Sequence, residues 1–166
     1  MKYFFSFFVF LFLFVSCRNE DADLQKIDQV TSIYIKDVSG KDLLNSKLSG
    51  TYTSVALKDL NGIYDLVPIT TFSLKKDADT VNYIEYIAGA KRILKDSVSA
   101  SQKSYQSDFV IHLSKVVDNT TVTDVDTLRM EYSWTPTLFQ ISKAYYNENL
   151  VFSKTEGQSN IIKVVK

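Results

Sequence analysis

Apolar side chains recur at every second position along most of the chain after residue 30. From Thr31 to Lys36, Ile33 and Ile35 fall on one side and Ser32, Tyr34 and Lys36 on the other. From Asp108 to Val117, Phe109, Ile111 and Leu113 oppose Val110, His112 and Ser114. The clearest run is Thr127 to Trp134. There Leu128, Met130, Tyr132 and Trp134 share a face against Thr127, Arg129, Glu131 and Ser133. A period of two marks a strand buried on one side. The same pattern predicts strands at 51–58, 63–67, 70–76, 81–88, 138–146, 150–152 and 161–165. In the 138–146 strand Phe139, Ile141 and Tyr145 are aligned.

Turn chemistry separates these runs. Gly40 sits inside Asp37–Asp42, Asn61-Gly62 reads as a tight hairpin, and Asn147-Glu148-Asn149 reads as a second one. Residues 97–107 are rich in Ser, Gln and Lys and read as an exposed loop. With about eight or nine strands and no amphipathic helix, the expected fold is an antiparallel, immunoglobulin-like β-sandwich over residues 30–166.

The first residues follow another pattern. Lys2 precedes Tyr3–Val15, a run of 13 residues broken only by Ser6. A helix needs about 20 apolar residues to cross a bilayer. A short apolar run after a basic start, closed by the small residue Ser16, predicts a signal peptide over 1–16, cut between Ser16 and Cys17. Cys17 is the only cysteine in the chain. The acidic run Arg18–Asp23 that follows suits a flexible tether over 17–29.

Composition adds limits. Without the leader, 18 basic residues face 19 acidic ones. No strong field exists to attract nucleic acid, and no nucleic-acid partner is expected. With Cys17 committed to the leader boundary, no thiol remains for a disulfide, a metal or a nucleophile. No cofactor, metal or catalytic centre is expected. Seven of the 11 Phe belong to the leader, so the folded part draws its aromatics from nine Tyr, four Phe and one Trp.

The Ser16-Cys17 site resembles the lipobox of bacterial lipoproteins, with Phe14 where Leu is usual. That resemblance implies a diacylglyceryl thioether on Cys17, cleavage before it, and acylation, for instance by palmitate, of the new amino group. The acidic run after Cys17 is similar to the export signal of Bacteroidetes-type surface lipoproteins. The stretch Ile33–Asn45, with its D-x-x-G-x-D-L-L-N turn, and Lys143–Val151 resemble segments of small, uncharacterised lipoproteins of that kind. The resemblance implies an outer-membrane protein held by lipid and displayed at the cell surface. It brings no activity.

Candidate chemistry is sparse. Tyr34, Tyr83 and Tyr146 fall on faces read as outward, where they could contact a glycan; the plainer reading is sheet packing with wet hydroxyls. Asp79-Thr80-Val81, Asp96-Ser97-Val98 and Asp126-Thr127-Leu128 are similar to the Bacteroidetes O-glycosylation acceptor, implying Thr80, Ser97 and Thr127 as modified residues. Asp37, Asp42 and Asn45 could gather oxygen atoms around Ca²⁺, but they suit turn-shaping hydrogen bonds better. His112 has no nucleophile elbow to serve. A hydrolase would draw its carboxylates from Glu85, Glu131, Glu148 or Glu156. The expected function is non-catalytic binding or structural work at the envelope, with a glycan or surface protein as partner. The alternatives are a small envelope hydrolase or a subunit of a surface assembly, the latter marked by a long unpaired strand edge.

Overall fold

The structure, a computed structural model, describes residues 24–64 and 66–166. The leader, Cys17 and the acidic run lie outside the described residues. Twelve strands follow one another: β1 (Lys26–Asp28), β2 (Thr31–Lys36), β3 (Ser54–Asp59), β4 (Val67–Ile69), β5 (Phe72–Lys76), β6 (Asn82–Tyr86), β7 (Ile93–Ser99), β8 (Gln102–Val117), β9 (Thr120–Trp134), β10 (Leu138–Tyr146), β11 (Asn149–Ser153) and β12 (Ile161–Val165). They form an eight-stranded sheet in the order β1-β10-β9-β8-β3-β4, with β11 added to β10 and β7 to β8. The second sheet has four strands in the order β12-β2-β6-β5.

The all-β sandwich expected from the alternation is present. Two pairs are parallel, β1 with β10 and β12 with β2. Eight and four strands replace the four and three of a constant-type immunoglobulin domain, so the immunoglobulin-like detail is not confirmed.

The sheets face each other through their apolar sides. Ile33, Ile35, Ile84, Tyr86, Ile162 and Val164 come from the smaller sheet, and Phe109, Ile111, Leu113, Leu128, Met130, Tyr132 and Ile141 from the larger. Ile33 with Ile35, Phe109 with Ile111 and Leu113, and Leu128 with Met130 and Tyr132 are sets that the period of two had placed together. Tyr86 stacks on Phe109 across the gap at 4.8 Å. Among the described residues, every strand and every core side chain lies between residues 26 and 165. The segment from residue 17 onward therefore carries the whole described fold.

The long β8–β9 hairpin closes through Asp118 and Asn119, both at positive φ (48° and 60°). The β10–β11 hairpin closes through Asn147 and Glu148, at 45° and 68°. Both are the left-handed pairs that match the twist of a two-residue hairpin. Asn61-Gly62 does not make such a turn. The chain loops out after Asp59 and returns only at Val67 to pair as β4.

Other boundaries shift too. Lys26–Asp28 belongs to the sheet rather than to the tether, and Gln25 donates to the Thr135 carbonyl at 2.6 Å. Residues 97–107 are not a loop. They form the end of β7 and the start of β8, a hairpin whose outer strand is exposed along its whole length.

Candidate binding face

The outer side of the four-stranded sheet is built by the residues that alternate with its core. β2 presents Tyr34 and Lys36, β6 presents Tyr83 and Glu85, and β12 presents Ile161, Lys163 and Val165. The parallel register sets Lys163 beside Tyr34. The antiparallel register of β2 with β6 carries Tyr34 to Tyr83, and β5 adds Lys75 beside Tyr83. The result is a row across four strands: Lys163, Tyr34, Tyr83, Lys75.

Within this row the two rings stack with centroids 5.2 Å apart and planes 28° apart. Lys75 is held by Glu85 at 2.7 Å. Lys163 makes no ion pair among the described residues. The β5–β6 turn brings Asp77 and Asp79 to the side of Tyr34. Together with Lys36, Val81 and Val165, these residues line an open groove of about 420 Å³. Burial, and then the Asp77 carboxylate beside it, hold the Tyr34 hydroxyl above its usual pKa. It therefore stays protonated, a donor as well as an acceptor. Aromatic faces, ammonium donors and carboxylate acceptors thus meet on one solvent-facing surface. That set can stack against a ring's apolar face and hydrogen-bond its rim of hydroxyls.

Tyr146 does not join this surface. It is 6% exposed and sits in the core. The cause is a bulge in β10. Ile141 pairs with Tyr132 while Lys143, two residues on, pairs with the next residue of β9, Glu131. One extra residue reverses the facing of everything after it. Ala144 and Tyr146 turn inward and Tyr145 turns out.

The four glutamates stay apart. Glu85 lies on the outer face of the small sheet with Lys75, and Glu131 on the large sheet with Lys95. Glu148 sits in the β10–β11 turn and Glu156 in the loop before β12, both exposed. Among the described residues no three His, Cys, Asp or Glu side chains gather into a metal-sized group. Asp37 accepts from the Ser39 and Lys41 backbone at 2.8 and 2.9 Å, and Asp42 from Leu44 and Asn82. Asn45 accepts from Lys47. These oxygens shape turns, and Gly40, at φ 85°, supplies the backbone angle the first one needs.

His112 is half-buried, and its Nε2 has no partner. Burial, and then Lys58, lower its pKa. Thr80, Ser97 and Thr127 are all exposed. Thr80 lies in the β5–β6 turn at φ 63°, Ser97 on β7, and Thr127 on β9 beside Asn147.

Sequence reasoning found Tyr34 and Tyr83 but missed Lys163, Asp77 and Asp79. The strand faces were legible. The parallel pairing that brings β12 beside β2 was not, because no local signal encodes it.

No family model matches this chain, and no curated protein and no solved structure does either.

Proposed function

We propose that this chain is a lipid-anchored protein of the cell envelope whose folded domain binds saccharides, without catalysis, through the outer face of its four-stranded sheet. The observation that carries the ligand assignment is the outward Tyr34–Tyr83 stack, flanked by ammonium groups and edged by Asp77 and Asp79. The leader and Cys17 support the anchoring. Two or more acyl chains hold a protein stably at a membrane, and among the described residues no helix is long and apolar enough to cross one.

The binding claim is tested on a glycan array probed with residues 17–166. Binding to at least one saccharide class is expected, with a loss of tenfold or more in Tyr34→Ala and Tyr83→Ala. Aromatic stacking contributes about 0.5–1.5 kcal/mol beyond simple burial, and the apolar area that each truncation leaves uncovered adds to the loss. Silence across the array, or binding unchanged in both variants, overturns the assignment. The anchoring claim has its own test. Cys17→Ser is expected to leave uncleaved precursor or to release the protein from membranes. A normally processed Cys17→Ser protein that stays in the membrane fraction contradicts it.

A further inference from the structure

The end of the larger sheet nearest the tether carries a second cleft, distinct from the tyrosine face. It is about 300 Å³ and is bounded by Gln29 after β1, Arg92 before β7, Tyr105 on β8, Trp134 on β9 and Phe139 on β10. Arg92, in the cleft, and Lys103, against the Trp134 that forms one of its walls, both lie on aromatic rings. The Arg92 guanidinium sits 4.5 Å from the Phe139 centroid and 5.3 Å from that of Tyr132. Lys103 Nζ lies 5.0 Å from the Trp134 centroid. Neither cation is ion-paired among the described residues. Arg92 donates to the neutral Gln29 side chain, and among the described residues its guanidinium meets no carboxylate.

The surroundings point to one occupant. The described chain begins at this end. Ile27 lines the cleft and is 63% exposed, and Leu24, three residues before it, is 92% exposed, so the described chain begins beside the cleft. Six residues lie between Cys17 and Leu24, seven Cα steps with a reach of about 25 Å at most. Phosphate-bearing headgroups on the anchoring surface therefore lie within reach of two unpaired cations. Trp and Tyr are the side chains that favour such an interface, and Arg binds phosphate through a planar fork. The tyrosine face lies elsewhere, on the outer side of the four-stranded sheet, and its groove shares no residue with the cleft.

We infer that the Arg92–Trp134 cleft docks the domain on an anionic lipid surface, seating a headgroup phosphate between Arg92 and Lys103. The geometry then holds the tether end down and leaves the tyrosine face free. The inference rests on the lipid-anchored reading for its biological setting. Its test does not, because it uses protein without the lipid.

Residues 17–166 carrying Cys17→Ser are mixed with vesicles of phosphatidylcholine, or of phosphatidylcholine containing one part in three phosphatidylglycerol. Trp134 is the only tryptophan, so its fluorescence reports on the cleft alone. A blue shift is expected with the anionic vesicles and not with the neutral ones. In Arg92→Gln/Lys103→Gln, vesicle affinity is expected to fall about thirtyfold, a factor of roughly five for each cation lost. Lys103→Gln alone, which leaves the Arg92 packing in place, is expected to lose the single factor. Arg92→Lys is expected to keep most of the affinity.

No shift, an equal shift with neutral vesicles, or unchanged affinity in the double and the Lys103 variants overturns the inference. So does a shift reproduced by millimolar soluble glycerol phosphate that also displaces the protein from the vesicles, which would make the cleft a site for small phosphates. Loss of vesicle binding here leaves the Cys17 experiment untouched, so failure of docking and failure of anchoring give different results.

Discussion

Phe109→Ala is expected to cost about 3–5 kcal/mol of unfolding free energy. Phe109 is fully buried on β8 and stacks on Tyr86 of β6. It therefore joins the two sheets at the place where they face each other. Truncation removes the ring's burial and leaves a cavity between layers that each strand's hydrogen bonding holds apart. The surrounding strands cannot collapse into that space without breaking their registers with β3 and β9. A urea titration checks this through a lowered midpoint with an unchanged slope. The exposed Val125 on β9, which alternates to the outer face, gives the contrast. Val125→Ala is expected to change stability by less than about 0.5 kcal/mol.

Asp28→Ala is expected to cost about 1.5–3 kcal/mol for an electrostatic reason, less than a fully buried ion pair because the Asp28 side chain is 31% exposed. The Lys154 side chain is 8% exposed, and its ammonium donates to Asp28 at 2.7 Å, to the Gln158 carbonyl at 2.7 Å and to Asn160 at 2.8 Å. All three of its donors are used. Asn160, also buried, donates to Asp28 and to the Val30 carbonyl. This cluster ties β1 and the start of β2 to the loop before β12. Removing the carboxylate leaves a buried cation with no counter-charge. Lys154→Met, which removes the cation and keeps its apolar length, is expected to cost much less, because replacing a buried charge by an apolar side chain avoids the desolvation.

The same carboxylate makes stability depend on pH. The hydrogen bond from Lys154, above all, holds the Asp28 pKa below its ordinary value. An unfolded aspartate titrates near 3.9. The Asp28 contribution is therefore complete above about pH 4 and is lost as pH falls through the lower folded value. Asp126 acts in the same direction. Burial pushes its pKa up, but hydrogen bonds from Lys166 (2.6 Å) and Asn147 (2.8 Å) outweigh that, and the net shift is downward. Thermal unfolding followed from pH 7 to pH 2 is expected to show a flat region and then a steep loss beginning near pH 4. That loss should be shallower in Lys154→Met.

Much of the fold was legible because one face of most strands is buried. Thr127–Trp134 and Thr31–Lys36 placed Leu128, Met130, Tyr132, Ile33 and Ile35 inward correctly, since alternation and burial are there the same fact. Where burial fails, so does the signal. β7 is exposed on both faces, so residues 97–107 carried the composition of a loop while forming a hairpin. Tyr146 was misplaced for another reason. A period-two reading cannot see an inserted residue, and the bulge after Ile141 turned the tyrosine into the core. At the tyrosine face, the two rings could be assigned outward from their own strands. That Lys163 would stand beside Tyr34 depended on a parallel pairing between the second strand and the last. The Arg92 cleft was hidden similarly, since its walls come from four strands and the approach to a fifth. Trp134, read as a core residue, is one of its sides.

The claim on which the functional reading turns is that ligand contacts the row Lys163–Tyr34–Tyr83. Backbone and side-chain NMR shifts of residues 17–166, recorded as the strongest array saccharide is added, test it most directly. Perturbations gathered on Tyr34, Tyr83, Lys163, Asp77 and Asp79 are expected. Perturbations centred instead on the outer face of the eight-stranded sheet, around Arg129 and Tyr145, would contradict it.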